Sequence, residues 1–308
     1  MCEKNHFIPK FYQKRWEGDD KKVCVYFRNA IRVQTQRRHR SSVGYAVDLY
    51  TVPGVDLAVA AYLERQFFRI TDDLAANALA IIERGPWTMN AHTRSGWTRF
   101  IVSLLHRNPE QIARSLETVS RFMVAARPLY EREYDLRKDA NHPPAFEEFW
   151  KEICREVEAK TWINLVQTTI DSEEVGNHFN NLIWRVFDLH GSQTLLTGDR
   201  PIIMTNGMVN PDSHLSIPIG PKKLFVAATR PEFLDFIQSQ SADEIASLNN
   251  DLIVRQARRF CIGVDDSHLE LFSERFGEMR ASSAVEEVPL PTEDELRQLY
   301  LTSTAKPE

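Results

Sequence analysis

Val23, Val25 and Phe27 alternate with Cys24, Tyr26 and Arg28, and the alternation resumes at Ile31 and Val33. A two-residue period predicts strands, and its interruption near Asn29 predicts the turn of a hairpin. From about residue 55 the period lengthens to that of a helix. Leu63, Phe67, Ile70, Leu74 and Ile81 recur at helical steps until Gly85-Pro86 stops the run. Trp97, Ile101 and Leu104 mark a second helix ending at Asn108. Asn108 is also suited to cap a third, since Pro109 fits the first helical position and Gln111 lies three residues after the cap. The pattern carries that helix to about residue 137, with a kink expected at Pro128. Asn141-His142-Pro143-Pro144 makes a stiff turn; Phe146, Trp150, Ile153 and Val157 open a fourth helix; Phe179, Leu182 and Val186 suggest a fifth.

Beyond Gly191 the pattern returns to short apolar runs, QTLLTG, IIMTN, LSIPIG and KLFVAAT, separated by turn residues and read as strands. Two helices follow, one after Pro231 and one from Ser241, where Glu244 completes a capping-box pattern. FCIGV at 260–264 is a last strand, and a helix is expected after Pro291. The expected class is α+β: a helix-rich layer over about residues 55–190, packed on one small mixed sheet built from N-terminal and C-terminal strands. No internal repeat divides the chain. It is read as a single domain, 1–308, with a motif-and-hairpin segment at 1–50, helices at 55–190, strands at 191–265, and C-terminal helices and tail at 266–308.

Composition fits a folded globular chain: 308 residues, 43% hydrophobic and 26% charged, with 12 Gly and 15 Pro. Charges interrupt every long apolar stretch, and the first residues lack the pattern of a secretory leader, so a cytoplasmic protein without a membrane span is expected. Four widely spaced cysteines form no C-x-x-C and are read as reduced thiols. Net charge is -5, yet residues 1–41 hold eleven Lys or Arg against four acids, including Arg28, Arg32 and the run Arg37-Arg38-His39-Arg40. Such a segment either guards a strand edge or meets an anionic ligand.

P-loop, dinucleotide, serine-hydrolase and zincin motifs do not occur, and no pair of the nine histidines lies one helical turn apart. No ligand spacing argues for a metal, and no cofactor is implied. What stands out is His6-Phe7-Ile8-Pro9-Lys10-Phe11-Tyr12-Gln13-Lys14-Arg15-Trp16, which resembles the opening H-x-x-P-x-x-Y-L-x-x-F signature of the bacterial family catalogued as domain of unknown function 4238. Leu49-Tyr50-Thr51, Leu63-Glu64, Arg107-Asn108-Pro109, Thr197-Gly198-Asp199-Arg200-Pro201, Ile217-Pro218-Ile219-Gly220-Pro221 and Leu248-Asn249 with Ala257 resemble its later elements in order. The resemblance covers roughly residues 5–265. Gln13 stands where the family usually has Leu, and Gly198 and Gly220 where it usually has Ser. The resemblance implies a grouping and motif positions and leaves the chemistry open.

Three functions are weighed on these residues. In the first, a hydrolase or nuclease-like enzyme acts on a phosphate-containing substrate. His6 is its general acid or base, Tyr12 and Asp199 complete the catalytic set, and Arg28, Arg38, Arg200 and Asn249 bind substrate. A carboxylate beside His6 would raise its pKa. In the second, a non-catalytic module binds nucleic acid or another anionic ligand through the basic segment, with Trp16, Tyr26 and Phe27 available for stacking. In the third, the helical layer is the surface for a protein partner in a defence or toxin-type system. Structural readings stand beside these: His6 and Tyr12 tying down the N-terminal arm, Asp199 accepting backbone N–H groups in a turn, and Asn249 holding a strand end.

Overall fold

The computed structural model describes residues 4–30, 32–51, 62–85, 89–140, 142–204, 206–207 and 210–279. The helix expected after Pro291 lies outside them.

Strand β1 (Lys4–His6) leads into a short helix α1 (Lys10–Gln13), which tightens into a 3₁₀ turn ending at Trp16. The expected hairpin follows as β2 (Lys22–Arg28) and β3 (Val33–His39), closed by Asn29, whose side-chain oxygen accepts from Arg32 N at 2.8 Å. Strand β4 (Tyr45–Val47) pairs back with β1. The helical layer then comprises α2 (Arg69–Ile82, entered through a π turn at Leu63–Phe68), α3 (Ala91–His106), α4 (Pro109–Arg137), α5 (Phe146–Ile170) and α6 (Glu173–Asn181). Asn108 caps α4 as its sequence predicts, accepting from Gln111 N at 3.0 Å with Pro109 in the first turn.

The fifth helix stops at Asn181, so Leu182 and Val186 are not part of it. Ile183–Asp188 form β5 instead, paired along its whole length with β9. The helical spacing of Phe179, Leu182 and Val186 is accidental, and long-range pairing overrides the local period.

Strands β6 (Thr197–Gly198), β7 (Ile203–Met204), β8 (His214–Gly220) and β9 (Lys223–Ala228) follow, then α7 (Pro231–Ser239), α8 (Ala242–Gln256) with the expected Ser241–Glu244 capping box, β10 (Phe260–Gly263) and α9 (Leu269–Arg275). The class is α+β, and strands from both halves of the chain do share a sheet. The expectation of one mixed sheet is corrected: the described residues form two larger sheets, ordered β3-β2-β10-β6 and β5-β9-β8-β7, besides the β1-β4 ribbon, and every pairing among them is antiparallel.

Both larger sheets are covered on two faces. Val23 and Val25 of β2 enter the main core with Trp97, Phe100 and Trp162 of the helical layer, whereas Cys24 and Tyr26 pack with Ile253, Val254 and Phe272 of α8 and α9. In the second sheet Trp184, Ile217 and Phe225 join the main core, while Phe187, Leu224 and Val226 meet Leu234 and Ala246 of α7 and α8. Central strands buried on both sides lack strict apolar–polar alternation, as the run LFVAA of β9 does. The chain crosses from the first sheet to the second between β6 and β7. Gly198 permits this crossing, because a Cβ there would lie 2.8 Å from the Phe260 carbonyl.

Candidate functional site

The residues singled out in the sequence fall into three polar groups rather than one site. Tyr12 belongs to the first. Its ring is fully buried, its hydroxyl donates to Pro218 O at 2.6 Å and lies 2.8 Å from Thr197 Oγ1. Burial pushes the phenol far above its ordinary pKa, so Tyr12 stays protonated and, with its hydroxyl engaged by Pro218 and Thr197, serves as a tie. Gln13 donates to the carbonyls of Ile8 (2.6 Å) and Val43 (3.0 Å), work that the usual Leu would not do. Trp16 Nε1 donates to Leu195 O at 2.7 Å. The motif from His6 to Trp16 therefore staples the N-terminal arm to both larger sheets.

His6 lies on β1 with its ring 5.6 Å from that of Tyr45. Its Nε2 is buried without a hydrogen-bond partner. Burial, and then the positive charge of Lys10, lower its pKa to about 4. The expected elevation by a neighbouring carboxylate is thus reversed: cations flank this imidazole, and it is neutral at pH 7. Asp199 is engaged elsewhere. Its carboxylate is buried and accepts from Arg258 N (3.1 Å) and Arg259 N (2.9 Å), where the chain leaves α8 for β10. Burial raises it to about 6 against the opposing pull of the Arg258 N–H and the Arg200 charge. His6, Tyr12 and Asp199 form no hydrogen-bonded set.

The second group is electrostatic and centres on Arg200. Its guanidinium reaches Glu110 at 3.6 Å and feels the charges of Asp199, Arg258 and Arg114; burial lowers its pKa. Arg259 approaches the same Glu110 at 3.0 Å. Because Phe260 pairs with Phe27, Arg259 and Arg28 flank the same end of the first sheet. That sheet end gathers Arg114, Arg200 and Arg259 about Glu110, with Asp199 beside Arg200, whereas the Arg28 guanidinium donates to Ser273 O and lies over the Phe276 ring, and that of Arg258 donates to the carbonyls of Gly277 and Met279. Arg114 and Arg259 are exposed, and Nε of Arg200 has no hydrogen-bond partner. Of the arginines chosen from sequence as binding residues, Arg200 belongs to this group, whereas the Arg28 side chain is held against Ser273 and Phe276. Arg38 is not drawn into this group: it stacks over Phe27 at 4.7 Å and donates to Gln36, on the edge strand β3. Arg37 pairs with Asp20 and Arg40 with Glu17, as residues guarding an edge would.

Asn249 is buried, with neither side-chain atom hydrogen-bonded. The strand-holding role belongs to its neighbour Asn250, which accepts from Leu196 N at 2.7 Å and donates to Thr194 O at 2.8 Å. Adjacent helical positions point about 100° apart, so the choice between two asparagines turns on a rotation the sequence does not display.

The third group unites Tyr50, Glu64 and Arg107, quoted above for resemblance but given no role. Arg107, the residue that ends α3, is fully buried and donates from Nη1 to Asp72 Oδ1 at 2.8 Å. Its plane lies near Phe68 and Phe100, 5.8 and 5.5 Å from their centroids. Tyr50 stacks on Phe68 at 4.8 Å and lies within electrostatic reach of Arg107, Glu64 and Asp72. Three members of this group come from separate motifs and converge only in the fold.

Among the described residues no cluster of three or more His, Cys, Asp or Glu could hold a metal ion, and no helix is long and apolar enough to cross a membrane. A cleft of about 560 Å³ opens between β5 and the start of α8, lined by Arg185, Asp188, Gln238 and Gln240 among others, and no residue of the three groups lines it. Comparison with curated proteins and with solved structures finds no match. The family described as protein of unknown function, DUF4238, matches residues 4–267, the span over which its motifs tie the arm, the sheet crossing and the buried Arg107 group together, and the chain belongs to that family.

Proposed function

We propose that this protein is a non-catalytic binding module for a phosphate-bearing ligand, nucleic acid included, taken up at the basic end of the first sheet. The observation that carries this reading is the gathering of three arginines, Arg114, Arg200 and Arg259, around the carboxylates of Glu110 and the buried Asp199. Like charges held together at a surface raise the local concentration of an anion and are relieved when it binds. The hydrolase reading has weaker support, since Tyr12 and Asp199 already spend their polar atoms on the fold.

The test is fluorescence anisotropy with a labelled single-stranded oligonucleotide, titrated from roughly 50 to 200 mM salt, with pyrophosphate as competitor. Binding is expected to weaken with salt. Arg114→Ser and Arg259→Ser should each reduce the slope of log K against log salt by about one, because each removes a phosphate contact. Affinity that is undetectable at the lowest salt, or unaltered by both substitutions, overturns the reading. Turnover of the oligonucleotide by wild type would favour the enzyme instead.

A further inference from the structure

A guanidinium has two forked edges, each offering a parallel pair of N–H donors to two oxygens of one oxyanion. In Arg107, Nη1 is spent on Asp72, but Nε and Nη2 are both buried without a partner. Those two nitrogens form the side-on fork. The hydroxyl of Tyr50, also buried, is likewise without a partner. Nearly all buried polar groups in folded proteins are hydrogen-bonded, and leaving three such groups unmatched in one place is costly. The Cζ of Arg107 lies over the rings of Phe68 and Phe100, which offer no carbonyl or carboxylate to the free edge.

We propose that the Nε–Nη2 edge of Arg107, with the Tyr50 hydroxyl beside it, is an internal binding site for a small oxyanion, a carboxylate or a phosphate group held side-on by two oxygens. The site is separate from the basic sheet end: Arg107 lies in the α2–α3 layer with Asp72, and its occupancy does not depend on Arg200 or Arg259. A carboxylate and a phosphate present the same pair of oxygens to the fork. A bound oxyanion would share the positive charge of Arg107 with Asp72.

An anion enclosed in this way leaves slowly, so two measurements are combined. Purified protein is denatured and the released small acids are identified by mass spectrometry; separately, dialysed protein is melted in the presence of formate, acetate or inorganic phosphate. The expected result is a released acid, a melting temperature that climbs with one of the three anions in a saturable way, or both. Which anion saturates distinguishes a carboxylate site from a phosphate site. Tyr50→Phe keeps the ring stacked on Phe68 and removes only the hydroxyl, and should raise the half-saturating concentration about tenfold. Arg107→Lys should abolish saturation; should that variant not fold, Tyr50→Phe still decides. Arg114→Ser with Arg259→Ser should leave this saturation unchanged, so failure here and failure at the basic sheet end are read separately. Protein that releases no acid and melts alike in all three anions overturns the proposal. So does a Tyr50→Phe variant indistinguishable from wild type, or a Glu64→Gln variant that loses as much stability as Arg107→Gln, since Glu64 would then be the acceptor on the fork.

Discussion

The Tyr12 hydroxyl stands between Thr197 Oγ1 of β6 and the Pro218 carbonyl of β8, and so joins two sheets that share no strand. Since its own proton goes to Pro218, the Thr197 hydroxyl is the donor in the other bond. Removing the phenolic oxygen strands both partners. Tyr12→Phe should lower stability by about 1–3 kcal/mol in chemical denaturation. Thr197→Val in that background should cost little more, because the group it removes is already unmatched. Additive losses in the double variant would mean that the two side chains act independently.

The two buried asparagines of α8 should separate cleanly. Asn250→Ala strands the buried Leu196 N and the partly buried Thr194 O, and should cost about 2–6 kcal/mol at roughly 1–3 kcal/mol per orphaned group. Asn249→Leu removes an amide with no partner to lose, and replacing an unmatched polar group by an apolar one of similar volume should be near neutral or stabilising. Urea midpoints measured on the two variants check the contrast; a larger loss for Asn249→Leu would contradict it.

Acid should act on His6 and Asp199 in opposite senses. The His6 pKa is depressed from 6.5 to about 4, so the unfolded chain binds the extra proton more readily, and this contribution to stability is lost as pH falls from 6.5 towards 4. Asp199 is raised from 3.8 to about 6, so the folded chain binds the proton more readily, and stability is gained as pH falls through 6 towards 4. Relative to wild type, His6→Gln should therefore become more favourable as pH falls through this window, and Asp199→Asn less favourable. Melting curves at pH 4.5, 5.5 and 6.5 give both differences; parallel profiles for all three proteins would refute the assignment.

Arg38 of the edge strand and Arg40, just after it, should differ. Arg40 pairs with Glu17, whose side chain is only 10% exposed, whereas Arg38 rests on Phe27 and a single exposed hydrogen bond. Arg40→Ser leaves a largely buried carboxylate unpaired and should cost about 1–3 kcal/mol; Arg38→Ser should stay within about 0.5 kcal/mol. Equal losses in thermal denaturation would show that the burial of Glu17 is without consequence.

The helices were legible because their apolar residues recur on one face and their caps are local: Asn108 with Gln111, and Ser241 with Glu244, are decided within four residues of chain. The hairpin β2–β3 was legible for the same reason. Which strands share a sheet was not, because that choice is made between β2 and a partner more than 200 residues away at β10, and Cys24 and Tyr26 read as an outward face until α8 and α9 cover them. The site fared similarly. Arg200 was identified by itself, but Glu110, Arg114 and Arg259 became its neighbours only when α4 and β10 met. Arg107 stood in plain view as part of Arg107-Asn108-Pro109, yet nothing in that tripeptide says that the guanidinium is turned inward, beside Asp72 and Tyr50.

Because β10 is the inner neighbour of β2, the nascent chain emerges from the ribosome with a hairpin whose inner edge has nothing to pair with. Its mate is completed at Gly263, some 235 residues after Arg28, which at about 5–20 residues per second is a wait of roughly ten to fifty seconds. During that interval Val23 and Val25 on one side and Cys24 and Tyr26 on the other are uncovered or half covered, on a strand with high β-propensity. The arginines of β3 shield only the outer edge. Translation speed and chaperone supply should therefore govern how much of this protein is recovered in folded form.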